Sequence, residues 1–232
     1  MPHASTRKSK LSKPTASAQN ILDSIEDLVA EGYRKNSAEI TELIKCLAVD
    51  DKFLDLYFRT VVGQAHLIDM IGAQCFFAHA SKSYFARLNF WLPESTRRLP
   101  VGDRFDQYFS IGILHNHAFD FFTVGLLGPG YRSTFFKYNG TIANHEEGDV
   151  LPLEREEDFF LDKGSARFVP KSSVFHIQFE PTQYSLSLNI IPRKFDDVGA
   201  ADLSQLIVDP TNLTVVRKFY PELLDNRASS GA

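Results

Sequence analysis

From residue 18 to about residue 70 the apolar positions recur at intervals of three and four: Ile21, Leu22, Ile25, Leu28 and Val29, then Ile40, Leu43, Ile44 and Leu47. That spacing gathers them on one side of a 3.6-residue helix and predicts two amphipathic helices. Asn36-Ser37-Ala38-Glu39 separates the two, with Ser37 placed to cap the second and Glu39 to meet its dipole. Asp50-Asp51 introduces a third helical stretch, from Lys52 to about Gly63. Beyond about Ser83 the texture changes to short runs rich in Phe, Tyr, Ile, Val and Leu. These predict strands near 86–91, 108–127, 131–138, 166–169, 174–179, 184–191 and 213–219. Gly128-Pro129-Gly130, Asn139-Gly140, Asp162-Lys163-Gly164 and Glu180-Pro181-Thr182 supply the turns, and Gly125 is read with them. Many short strands with regular turns predict a closed barrel or jelly roll.

The chain of 232 residues is 44% hydrophobic and 23% charged, enough for one substantial core. Its formal net charge of −4 argues against a general nucleic-acid or anionic-membrane binder and leaves a small molecule as the expected partner. No apolar run approaches the roughly 18 residues of a membrane span. Cys46 and Cys75 stand far apart with no CxxC spacing and no signal peptide ahead of them, so both are expected as reduced thiols in a cytosolic protein. Residues 1–16 hold Arg7, Lys8, Lys10 and Lys13 and no acid, the composition of a flexible basic tail. The expected organisation is this tail, a helical segment over 17–82 packed on a barrel, and the barrel itself over 83–232.

Chemistry enters at His115-Asn116-His117. In a strand, residues two apart share a face, so both imidazoles point the same way, with Phe119 and Phe121 continuing the row as pocket lining. Such a pair either ligates a metal or consists of hydrogen-bonded core residues or half-exposed rim residues. A transition metal needs a third ligand from another strand, and His176 in Val174-Phe175-His176-Ile177-Gln178-Phe179 is the candidate. His3, His66, His79 and His145 lack a paired ligand. Glu146-Glu147 and Glu154-Arg155-Glu156-Glu157-Asp158 read as a solvated loop, because neighbours in a loop do not converge on one point.

These residues resemble a family. The HxH strand, then Gly164-x5-Pro170 leading to His176 on a later strand, is similar to the two-motif layout of the cupin superfamily, in particular to its three-histidine, cysteine dioxygenase type. The likeness covers about residues 87–192, includes Tyr131-Arg132-Ser133-Thr134-Phe135-Phe136 and Ser185-Leu186-Ser187-Leu188-Asn189-Ile190-Ile191-Pro192, and extends to a helical N-terminal cover. It implies a mainly β, cupin-like jelly-roll barrel.

Departures from the family pattern carry information too. No Glu follows the second His at ligand spacing, and Asp120 falls on the opposite face by alternation. The positions of the family's Cys–Tyr cross-link read Phe122 and Ile191, so no cross-link is expected. The Ser-x-His-x-Tyr run of the closing strand reads Ser187-Leu188-Asn189-Ile190-Ile191.

The resemblance implies Fe(II) on His115, His117 and His176 and O2-dependent oxidation of a small amino-acid-like or thiol metabolite. Arg87 resembles the arginine that clamps a substrate carboxylate, although an Arg on a strand is also a common rim residue. Gln178, on His176's face, and Asn189 are placed to orient ligand or substrate. Two other outcomes stay open: zinc or another divalent transition metal acting as a Lewis acid in a ligase, isomerase or lyase, and a cupin that binds a small molecule without turning it over.

Overall fold

The structure is a computed structural model that describes residues 16–50, 52–53, 74–96, 111–193 and 204–219. Among the described residues two helices, α1 (Ala16–Gly32) and α2 (Ser37–Val49), precede eleven strands. These are β1 (Cys75–Ala80), β2 (Tyr84–Trp91), β3 (Leu114–Asn116), β4 (Phe121–Leu127), β5 (Arg132–Lys137), β6 (Glu154–Phe160), β7 (Ala166–Val169), β8 (Val174–Gln178), β9 (Ser185–Pro192), β10 (Gln205–Val208) and β11 (Val215–Phe219). They form a five-stranded sheet, β1-β2-β9-β4-β7, and a six-stranded sheet, β11-β10-β3-β8-β5-β6. Every pairing between named strands is antiparallel. The protein is mainly β, a double-sheet jelly roll with a helical cover, as its turn and strand pattern predicts.

Alternation assigns each face of the five-stranded sheet. Ala86 and Leu88 of β2, Phe122, Val124 and Leu126 of β4, and Leu186, Leu188 and Ile190 of β9 pack against Leu22, Ile25, Val29, Ile40, Ile44 and Leu47 of the helices. The two helical stripes expected from the 3–4 spacing therefore bury against the sheet's outer face. The odd-numbered residues of β2 and β9 turn inward, so β9 is buried along its whole length. The outer face of the six-stranded sheet is closed by its own connections, through Tyr138, Ile142, Leu151 and Leu213 packed on Leu114, Phe175 and Val215. Among the described residues, no helix is long and apolar enough to cross a membrane.

Several expectations are corrected. Of the run predicted at 108–127, residues 108–110 lie outside the described residues and the rest holds two strands in different sheets, β3 and β4, because the chain leaves one sheet after Asn116 and enters the other at Phe121. Cys75–Ala80, inside the stretch read as helical, is a strand that pairs with β2, so the barrel begins before residue 83. The acidic stretch Glu154–Phe160 is an edge strand rather than a loop, paired among the described strands with β5 alone, which suits a charged surface. β10 adds a further strand that the pattern did not predict. Asn36, not Ser37, stands at the N-cap of α2, with its side chain bonded back to the Leu28 carbonyl at 3.0 Å. Gly125 lies within β4, where a Cβ would run into the Asp162 carbonyl, whereas Gly128 and Gly130 do form a turn with φ of +79° and +71°. The basic tail up to residue 15, most of the third helical stretch, and His3 and His66 lie outside the described residues.

Candidate metal centre

Adjacent strands of the six-stranded sheet bring two histidines side by side. His115 on β3 and His176 on β8 are direct cross-strand partners. Both are almost fully buried, at 4% and 2% exposure. His117 stands one residue past β3, on the link to β4, and swings its half-buried ring in beside them. Ring centroids lie 4.7 Å apart for His115–His176, 4.9 Å for His115–His117 and 5.0 Å for His117–His176. One ligand atom from each ring falls within 4.8 Å of the other two, and His117 Nε2 is 2.9 Å from His176 Nε2.

The electrostatics keep these rings in ligand form. Burial lowers the pKa of all three, and for His117 and His176 it lies well below the usual histidine value. For His117 the neighbouring His115, His176 and Arg87 add to the effect, in that order after desolvation. The neutral imidazole is the metal-binding species. His115 Nδ1 approaches the Ile113 carbonyl at 2.9 Å, a bond it can make only as donor, which leaves Nε2 with its lone pair.

The donor set fits a divalent transition metal. Two nitrogens each about 2.1 Å from one ion at a right angle stand about 3.0 Å apart, close to the His117–His176 approach. Asp120 is not a fourth ligand: its carboxylate turns away and is bonded by Tyr33, Arg34 and the Lys171 backbone.

The three rings open onto a cavity of about 230 Å³. Every other side chain singled out from the sequence lies along it: Arg87, Phe119, Phe121, Gln178 and Asn189. Arg87 and Asn189 are cross-strand partners on β2 and β9. Arg87 Nε and Asn189 Oδ1 are both buried without a hydrogen-bond partner among the described residues, a donor and an acceptor side by side. Arg87 also sits 5.5 Å over the Phe119 ring. Gln178 Nε2 donates to the Tyr131 hydroxyl at 3.3 Å, and Tyr131 stacks on Trp91 with centroids 3.9 Å apart.

Sequence reasoning missed Cys75, Asn89, Trp91 and Tyr131, which also line the cavity. Asn89 and Trp91 follow Arg87 at intervals of two and share its face, so strand alternation carried their signal. Cys75 could not be found that way, because its segment reads as helix; its thiol donates to Asn89 Oδ1 at 2.7 Å, and burial raises its pKa. The two cross-link positions are not a facing pair: Phe122 packs under the helices and Ile191 packs between the sheets. Among the other histidines, His145 bonds the Tyr138 hydroxyl outside the cavity, and His79 packs on Tyr84.

No protein-family model matches the chain, and no curated protein matches it. Solved structures with some likeness include a hydroquinone 1,2-dioxygenase in complex with Cd2+ and 4-hydroxybenzonitrile, 15% identical, with a TM-score of 0.32 over 53% of this chain. The likeness spans 65% of that dioxygenase chain, just under two thirds of its length. A cupin-2 domain containing protein from Shewanella frigidimarina is 11% identical, with a TM-score of 0.31 over 57% of this chain and 91% of its own. A structure of DMSP lyases is 14% identical, with a TM-score of 0.36 over 80% of this chain and 97% of the other. None of these likenesses assigns an activity, and the chemistry open to the protein follows from its own side chains.

Proposed function

We propose that the protein is a metal-dependent oxidoreductase of the three-histidine cupin type, which uses O2 to oxidise a small carboxylate-bearing metabolite, amino-acid-like or thiol-bearing. The observation that carries this reading is the meeting of His115, His117 and His176 in the same cavity as the unpaired Arg87–Asn189 couple. The neutral rings of His115, His117 and His176 would hold Fe(II), which when bound would supply the redox chemistry with O2.

The chain's own residues do the rest. The Arg87 guanidinium, with a free Nε–H, holds a substrate carboxylate by charge-assisted hydrogen bonds. Asn189 Oδ1 accepts a proton donor on the same molecule, an amine or hydroxyl, and so fixes its rotation about the clamped carboxylate. Phe119 and Phe121 pack beside His117, with centroids at 5.3 and 4.8 Å, and exclude bulk water from that side. Tyr131, whose pKa burial raises, stays protonated and presents a donor hydroxyl to the opposite wall. A cavity of about 230 Å³ admits only a small substrate.

The test is metal analysis of freshly purified protein and of His176→Ala, with O2 uptake measured on small thiols and amino acids. The expected result is one iron per wild-type chain, lost in the variant, with O2 consumed on substrate addition. Stoichiometric zinc with anaerobic turnover would replace oxidation with Lewis-acid chemistry, and absence of any stoichiometric metal would remove the centre.

A further inference from the structure

The link between β3 and β4, residues 117–120, carries one of the three rings but belongs to neither sheet, so no strand ladder holds it. What holds it is a pair of anchors onto the turn that precedes β8. The His117 carbonyl accepts from the Ser172 amide at 3.1 Å, and Asp120 Oδ1 accepts from the Lys171 amide at 2.6 Å. Ser172 has φ of +63°, a conformation that a side chain resists and that persists where surrounding bonds enforce it. His176 lies four residues beyond Ser172.

Asp120 is bonded a second time from outside the barrel. Tyr33 Oη donates to Oδ2 at 2.6 Å, Arg34 Nε to Oδ2 at 3.0 Å and Arg34 Nη2 to Oδ1 at 3.2 Å, all from the connection between α1 and α2. The carboxylate is 1% exposed while the Arg34 side chain is 57% exposed, so the arginine reaches inward from the surface to meet it. The helices are joined to the sheet without this arrangement, through an apolar layer and through Glu26 of α1, whose carboxylate accepts from the Ser83 amide at 3.0 Å. The position of Asp120 is informative instead: one carboxylate ties together the helical cover, the link carrying His117 and the turn leading to His176.

We propose that Asp120, held by Arg34 and Tyr33, is a positioning residue for His117, so that the helical cover is a working part of the metal centre. This rests on the metal-centre reading above. Asp120 touches no metal; it fixes the angle at which the link presents the His117 ring to the other two. Releasing it lets the link relax and opens the three-ring spacing, although the two strand-borne histidines stay in register.

Cobalt(II) is the probe, with affinity measured by titration and site geometry by the visible d–d spectrum. Wild type is expected to bind one Co(II). Asp120→Asn and Arg34→Met should each weaken binding by about 10–100-fold and alter the d–d bands, and Arg34→Lys should recover part of the loss. Asp158→Asn serves as a control, because it removes a comparably bonded carboxylate from the edge of the six-stranded sheet, where it accepts from Arg132, Thr134 and Arg155. It should lower stability while affinity and spectrum stay at wild-type values. Should Asp120→Asn fail to fold, Arg34→Met, at an exposed side chain, carries the test. Wild-type affinity and an unchanged spectrum in Arg34→Met and in any folded Asp120→Asn would overturn the positioning role while leaving the metal centre standing. A wild-type protein that takes up no Co(II) would overturn the metal centre itself, and the positioning role with it.

Discussion

The two sheets face each other across one cavity but contribute different chemistry. The six-stranded sheet brings His115 and His176 into direct register, and its connection to the other sheet adds His117. The five-stranded sheet contributes no ring to that set and instead presents Arg87, Asn89, Trp91 and Asn189 from β2 and β9. The sheets also differ behind the cavity: two helices seal the first, while the second is closed by its own loops and ends in a charged edge strand. If the proposed function holds, the ion and the substrate carboxylate are gripped mainly from different sheets, and each grip should be removable without the other.

The sharpest way to break this division is on the histidine side. His115→Ala should take metal occupancy from one per chain to near zero, while Arg87→Ala keeps it, as metal analysis of both variants will read. Next in size is the seal behind the five-stranded sheet: Phe122→Ala should cost about 3–5 kcal/mol in urea unfolding, because the side chain is fully buried under the helices. The folded fraction should still bind metal. Arg87→Ala should weaken binding of a small carboxylate by about 10–100-fold, measured by calorimetry, with little change for an uncharged analogue of the same size.

Acid is a gentler perturbation and acts on the histidine sheet. Burial lowers the folded-state pKa of His115 and His176, so the unfolded chain binds protons first, below about pH 6.5. Stability is therefore fully present above that pH and declines as the pH falls, by up to roughly 1 kcal/mol per ring per pH unit, until the lower folded values are reached. Metal affinity of the folded protein should hold through most of that window and fall only as the pH approaches the lower folded values, where protons begin to compete for the same nitrogens. Smallest of all, Lys137→Ala removes an exposed lysine from its pair with the half-buried Glu156 at 3.1 Å and should change stability by less than about 1 kcal/mol.

Much of this was legible in the chain because burial follows simple periods. The helical stripe through Leu22, Ile25 and Val29 and the alternation along β2, β8 and β9 gave both the elements and the side chains that face inward. The failures have physical causes. Residues 113–124 hold no Gly or Pro, and Asn116 and Asp120 among apolar neighbours are only weak local signs that the chain changes sheet there. The break is imposed by contacts distant in sequence, from Arg34 and Lys171. Strand β6 went unread because an edge strand exposed along much of its length can be built from acids, which local preference assigns to loops. Cys75–Ala80 offers too little alternation to be told from the residues before it, whose spacing reads as helical.

The protein has one tryptophan, and the fold puts it on the cavity wall, 2.9 Å from the Ser187 hydroxyl and stacked on Tyr131. Its fluorescence therefore comes from a single known place. Paramagnetic ions entering the cavity should quench that emission and small ligands should shift it, so occupancy can be followed in real time without any label.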